Sequence, residues 1–315
     1  MRKQTTIDLS ISLVLVLAFV ALPHFYSNLT ILFMMAMYMV LSQGVNLLYG
    51  LTGYMPFGYV GFFGAGAYGF SIALQHLHFP IVLALIFGVL FTSLVGVILS
   101  PLLRLSGAYF AIGNLATSQV IYGIVANSHL QGITGGGDGV DISQYFNQTA
   151  SYYVMLAVLL VVMVGIIWVK RSSFGLSLQA MRDDSVSVAM SGVNVVRNRM
   201  LVWLASAAIA GLCGAIYAWF ISFFYPSSVF DVSIGIFAIV FMLFGGQGTI
   251  FGPVIGTIIL YGIYNVIGVS TPQYFQLAYG VLIVILVMFL PNGVLSLFKR
   301  GRRAHGRVLE SRPNF

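Results

Sequence analysis

Few side chains in this chain are placed to do chemistry. Inside its apolar stretches the hydrogen-bonding groups concentrate at Asn114, Thr117, Ser118 and Gln119, with Asn46 and Asn265 in two other stretches. Amides and hydroxyls of this kind either line a conduit for a small polar solute or tie neighbouring helices together. Side chains that carry acid–base work are missing there: no Asp, Glu, Lys, Arg or His falls mid-segment, and Asp8 and Asp231 sit at segment ends. A charge at bilayer depth costs about 3 kcal/mol or more and persists where an ion path needs it. A proton relay is therefore not expected, whereas sodium held by carbonyls and hydroxyls remains open.

The chain is not expected to be an enzyme or to capture ATP energy itself. Its three lysines, Lys3, Lys170 and Lys299, fit no glycine-rich loop ending in Gly-Lys-Ser/Thr. The cluster Gly135-Gly136-Gly137-Asp138-Gly139 has no basic neighbour to hold phosphate and reads as a flexible external turn. No Ser-His-Asp, HExxH or CxxC spacing is present. His24, His76, His78 and His129 fall at outer segment ends; His76 and His78 have metal-pair spacing but also suit a plain surface position. Cys213 is alone in an apolar stretch, which suits a small core residue and provides neither disulfide nor metal site. No cofactor is expected in this chain.

What must position those residues is a set of membrane helices. The chain is 59% hydrophobic and 7% charged, with mean hydropathy +0.99, far from the roughly 25% charged residues of soluble domains. Ten apolar segments are predicted, at 7–25, 29–49, 57–77, 80–103, 107–127, 151–169, 198–220, 231–245, 248–268 and 274–297. Lengths near twenty residues suit helical spans rather than barrel strands. The first segment follows Arg2-Lys3 but has no small-x-small cleavage site, so it reads as a retained helix. The expected fold is an all-α polytopic bundle of about 8–10 transmembrane helices, one domain over residues 1–315.

Charge sets the orientation. Every Lys and Arg lies at Arg2-Lys3, at Arg104, in the 170–199 loop or in the 298–315 tail. With both termini cytoplasmic, alternation across ten spans puts all four inside, as the positive-inside rule requires. The net charge of +7 thus marks a cytoplasmic face with some attraction for anionic membrane lipid, not a nucleic-acid groove. Trp168 and Trp203 are expected at the inner interface and Trp219 at the outer one. The 231–245 segment is short for a span, and reads as tilted, partial or buried among other helices.

Two patterns suggest tight packing. Gly58, Gly61, Gly64, Gly66 and Gly69 give one helix a stripe almost without side chains, and Ser206, Ala210, Gly211 and Gly214 do the same in another. Leu48 to Gly53 before Phe57-Gly58 also echoes Leu243 to Gly248 before Phe251-Gly252. The echo suits either an internal repeat or two similar glycine turns.

The 170–199 interval is the one long polar, basic stretch between apolar segments. Gly175 to Met181 reads as a short amphipathic helix with Leu176 and Ala180 on one face, closed by Arg182. Asp183, Asp184 and Ser185 then begin a second helix to Met190, with Gly192 and Asn194 as its stop. Two short helices in a cytoplasmic loop offer either a partner's docking surface or a solvated loop.

Several stretches, in order, resemble the LivM-type permease subunit of branched-chain amino acid ABC importers. They are Gly44 to Gly53, Phe57 to Tyr68, Arg104 to Ile112, Ile133 to Gly136 with Gly139, the 175–194 loop, Ser206 to Ala218, and Gly245 to Pro253. Departures occur at Tyr59 and Val60, where the family often has His-Ala, at Pro56 in place of Ser, and at Ala108 in place of an acid. They bear on substrate more than on architecture. The resemblance implies a second homologous permease of the LivH type, two ATP-binding cassette subunits, and a periplasmic or lipid-anchored binding protein, in the bacterial inner membrane. It implies ATPase coupling through Gly175, Leu176, Ala180, Arg182, Asp183, Asp184, Ala189 and Gly192. Import would proceed by alternating access, with leucine, isoleucine or valine as substrate and urea, amides, nucleosides or sugars as alternatives. An ATP-independent facilitator or ion-coupled carrier and a membrane scaffold are the competing classes. Asp138 and Asp141 on the outer loop are expected to meet basic residues of the binding protein.

Overall fold

A computed structural model describes residues 2–270 and 280–281. The tenth predicted segment, 274–297, and the basic tail, 298–315, lie largely or wholly outside these residues. The described chain is helical almost throughout: α1 (Arg2–Ala21), α2 (Leu29–Thr52), α3 (Tyr59–Gln75), α4 (Ile81–Ile98), α5 (Gly107–Val125), α6 (Gln131–Thr134), α7 (Gln148–Arg171), α8 (Ser173–Asp183), α9 (Ser185–Met190), α10 (Val195–Ile221), α11 (Pro226–Val229), α12 (Val232–Gly245) and α13 (Gly252–Ser270). Two two-residue strands, β1 (Val140–Asp141) and β2 (Phe223–Phe224), pair antiparallel. Seven described helical stretches are long and apolar enough to cross a membrane. The protein is an all-α polytopic membrane protein.

Side-chain caps set many helix starts. Asn28, Asn147, Ser172, Asp184, Asn194 and Asp231 each accept a backbone amide of the helix that follows, satisfying a donor with no partner inside that helix. Asn194 is thus a start for α10 rather than a stop for α9. At the other end of α2, Gly53 adopts φ +79 and turns the chain out.

Nine of the ten predicted segments have helical counterparts at similar positions. The short 231–245 segment is extended by α11, so that residues 226–245 together form a broken, membrane-long stretch. α3 lies at the centre, packed by α4, α5, α10 and α12. Its glycines do not form one stripe. A Cβ on Gly58 would lie 1.9 Å from the Asn114 carbonyl oxygen, one on Gly66 would lie 2.0 Å from that of Gly211, and one on Gly64 would strike the Phe230 ring. A central helix needs close approach on every side, so its small residues spread around it.

Two tryptophans depart from the interface expectation. Trp203 is fully buried and donates to the Gly96 carbonyl, and Trp219 is buried and donates to that of Tyr145. Each indole N–H is satisfied inside the protein, which removes the reason for facing the headgroups. Trp168 alone of the three is exposed, at the inner end of α7. Cys213 is buried, as its position suggested.

Candidate functional site

Contacts between distant elements sort the polar groups into two ends. One gathers Asp8, Gly50, Arg104, Lys170, Arg171, Arg182, Arg199 and Gly248 through mutual contacts. The other gathers Gln75, Ile133, Asp141, Tyr145, Trp219 and Phe224. The first is the basic end, hence inner, and the second carries exposed Asp138, Asp141 and Asp231.

At the inner end α8 and α9 form a clamped platform. The Ser172 hydroxyl caps α8, and a Cβ on Gly175 would lie 2.0 Å from the Val169 carbonyl oxygen. Gly175 therefore serves the tight turn between α7 and α8 rather than the outer surface. Leu178 and Met181 are buried beneath, while Leu176 and Ala180 share the opposite, exposed face. Asp183 ends α8 instead of opening the next helix. Asp184 opens it, its carboxylate accepting the Val186 and Ser187 amides at 2.9 and 3.3 Å. These bonds and that of the Ser187 hydroxyl hold the Asp184 carboxyl below its ordinary pKa, the hydroxyl contributing most.

Arg182 turns back into the bundle. Its guanidinium donates to the Gly50 carbonyl at 2.9 Å and lies 5.9 Å from the Tyr49 ring centre. Unpaired carbonyls at the C-terminus of α2 carry partial negative charge, which draws a cation there. Beside it Lys170 donates to the Gly248 carbonyl. Asn46 accepts the Gly248 amide at 2.7 Å and donates to the Thr249 carbonyl at 2.8 Å, and Gln43 donates to that of Ile250. The two echoing glycine turns thus meet face to face, with the Gly50 position within 2.8 Å of the Gly248 amide nitrogen if a Cβ were present.

The open surface carries an apolar set beside the exposed Arg182, Asp183 and Asp184. Leu176 is 60%, Val186 68% and Met190 86% exposed, and Ala180, Ala189 and Gly192 are exposed with them. Val186 and Met190 were not singled out from sequence, although their four-residue spacing places them on one helical face. The anchors Lys170 and Gln43 were missed too, because their partners are backbone carbonyls far away in sequence.

The polar residues of the spans mostly bond backbone. Asn114 accepts the Gly58 amide at 2.7 Å; Thr117 and Ser118 donate to carbonyls one turn back, and Asn265 does likewise. Gln119 is exposed on α5. At the outer end the 135–139 glycines form a tied turn rather than a loose one. Gly135, Gly136 and Gly139 have positive φ, and Asp138 accepts the Gln131 amide group at 2.5 Å. Asp141 continues into β1, and the Ser143 hydroxyl and amide hold its carboxyl below the ordinary range. His76 reaches the Ile133 carbonyl at 3.2 Å.

Residues 27–290 match the family described as branched-chain amino acid transport system / permease component. The chain belongs to that family. Similar curated proteins include the high-affinity branched-chain amino acid transport system permease protein LivM of Escherichia coli, 26% identical over 82% of this chain and 68% of the relative. The fructose import permease protein FrcC of Rhizobium meliloti is 31% identical, over 45% of this chain and 41% of its own length. The inner membrane ABC transporter permease protein YjfF of Escherichia coli is 24% identical over 83% and 80%. No solved structure matches. The chain is an ABC-transporter permease component, a multi-pass inner-membrane protein of the LivM type.

Proposed function

We propose that this permease component carries branched-chain amino acids through the membrane in an ATP-driven importer, by alternating access. A second permease of the LivH type would complete the pore, and two ATPase subunits would drive it. A periplasmic or lipid-anchored protein would deliver leucine, isoleucine or valine. The observation that carries the reading is the exposed face of Leu176, Ala180, Val186 and Met190 on helices clamped to the ends of α2 and α7. A push on this face would pass to the spans through Arg182 and the close turn at Gly175. In this reading Gly175, Arg182 and Asp184 shape the platform, and Leu176, Ala180, Ala189 and Gly192 meet the ATPase. Asp183, at the end of α8, lies beside that contact. At the outer end, Asp138 and Asp141 would meet Lys or Arg of the binding protein. Gln119 and Thr117 would be the path-facing members of the polar set, while Asn46, Asn114, Ser118 and Asn265 position backbone.

Affinity purification of the tagged chain from native membranes tests the reading. Recovery of an ATPase and a second permease supports it. Uptake of labelled leucine into liposomes holding the recovered complex, dependent on ATP and the binding protein, completes it. Recovery of the chain alone, with uptake that needs no ATP, supports a facilitator instead. The likeness to the fructose import permease favours sugar as the second substrate class, and labelled fructose in the same assay decides between them.

A further inference from the structure

We propose that Arg104 and Arg199 form a binding site for the headgroup of an anionic phospholipid of the inner leaflet. A pocket of about 380 Å³ opens between the chain that follows α4 and the first turns of α10. Ser100, Pro101, Leu103 and Arg104 line one side, and Val196, Arg199 and Met200 line the other. Among the described residues the one ion pair joins Arg171 to Asp8, so both pocket arginines lack a carboxylate partner. The described acids lie elsewhere: Asp138, Asp141 and Asp231 at the outer end, Asp8 on Arg171, Asp183 exposed at the end of α8, and Asp184 on its own helix cap. Arg199 is steered by the Tyr54 ring, whose centre lies 5.0 Å from the guanidinium carbon.

Two guanidinium groups in one pocket repel unless an anion sits between them, and a phosphate accepts from both. The surroundings select a lipid phosphate over a free one. On the membrane side of the pocket, Leu94, Val97 and Ile98 of α4 and Leu201 of α10 are exposed apolar residues. They provide a path for hydrocarbon rising from a headgroup held at the inner interface, where basic side chains add about 1 kcal/mol each toward anionic lipid. The inference depends only on the membrane-spanning character of the chain, and stands apart from the choice of substrate.

The test uses the full chain with its co-purifying subunits, delipidated in neutral detergent and titrated with phosphatidylglycerol or phosphatidylcholine. Lipid occupancy is read by native mass spectrometry and by thermal unfolding. Phosphatidylglycerol is expected to bind and raise the unfolding temperature, and phosphatidylcholine to do neither. Arg104→Gln with Arg199→Gln should weaken phosphatidylglycerol on the order of thirtyfold, whereas Arg197→Gln, outside the pocket, should not. Should the double variant fail to fold, Arg104→Gln alone must weaken binding severalfold, since that side chain is exposed and bonds no described residue. Equal binding by variant and parent overturns the site. An equal shift from inorganic phosphate alone overturns the lipid in favour of a free anion. Lipid binding retained by the double variant while the ATPase is lost makes the pocket a protein contact and overturns the proposal.

Discussion

The two ends of the bundle are tied by different chemistry. At the inner end, long side chains cross between elements to reach backbone: Arg182 to Gly50, Lys170 to Gly248, and Asn46 to Gly248 and Thr249. At the outer end much of the joining is backbone to backbone, through β1 on β2 and the Ile142 amide on the Ser222 carbonyl at 2.7 Å. On the inner platform Arg182 and Lys170 are engaged with carbonyls, and Leu176, Val186 and Met190 stand exposed. A ladder of amides leaves the outer carboxylates exposed. The two ends therefore offer protein partners different handles: exposed apolar residues on the inner platform, exposed carboxylates on the outer loop.

The sharpest way to break this comparison is at Asn46. Asn46→Leu leaves the Gly248 amide and Thr249 carbonyl without their partner near the inner end, and is expected to destabilise the chain by about 3 kcal/mol. Gln75→Leu removes an exposed outer bond to the Asp141 carbonyl and is expected to change stability by less than about 1 kcal/mol. Thermal unfolding in detergent measures both, and equal losses would erase the distinction. Next in size is the platform. Leu176→Glu with Met190→Glu should leave unfolding unchanged, abolish ATPase recovery and lower uptake by roughly tenfold or more, as losing buried apolar anchors does at interfaces. A stable variant that keeps its ATPase would show that the exposed face is not the docking surface.

How much of this was legible beforehand follows from the range of each interaction. Helices, their order and two short helices between Gly175 and Met190 were readable, since apolar run length and charge placement are local signals. The Ser172 cap was not seen, and Asn194 was read as a stop. The sequence also showed two glycine turns of similar pattern, but not that Gly50 and Gly248 would be in contact. Arg182 was read as closing a short helix, and nothing local reveals the Gly50 carbonyl it reaches. Trp203 illustrates the same limit. Its interfacial position was a reasonable inference from topology, and only the packing of α10 on α4 shows the Gly96 carbonyl that accepts its N–H. The glycines of α3 gave the fact of close packing and hid its directions.

At the outer end the expected effect is kinetic and smaller. Asp138→Lys with Asp141→Lys should slow association of the binding protein by a fewfold to tenfold in dilute buffer. The difference should shrink as salt shortens the Debye length to about 8 Å at physiological ionic strength. Unchanged association at low salt would remove charge as the outer handle. The reversal also removes the Asp138 bond to Gln131 and the Asp141 hold on the Ser143 amide, so unfolding is expected to shift by less than about 1 kcal/mol, as exposed bonds do.

The smallest expected effect joins the two ends through one mechanism. Asp184 caps α9 inside and Asp141 holds the Ser143 turn outside, and serine hydrogen bonds lower both carboxyls from the ordinary value of 3.8. A lowered folded-state pKa means that the frayed turn takes up its proton first. The stabilising contribution is therefore complete above the ordinary value and is lost as pH falls through the lowered one. Hydrogen exchange at the Val186 and Ser187 amides, each compared with Asp184→Asn, checks the inner case. The asparagine cap does not titrate, so the protection ratio of parent to variant should hold at neutral pH and fall once pH drops below about 4. A ratio independent of pH would mean the Asp184 carboxylate does not act as the cap. The same titration at Asp141 also removes surface charge, so acid should weaken binding-protein association together with the outer turn, whereas inside it loosens α9 and leaves the apolar face in place.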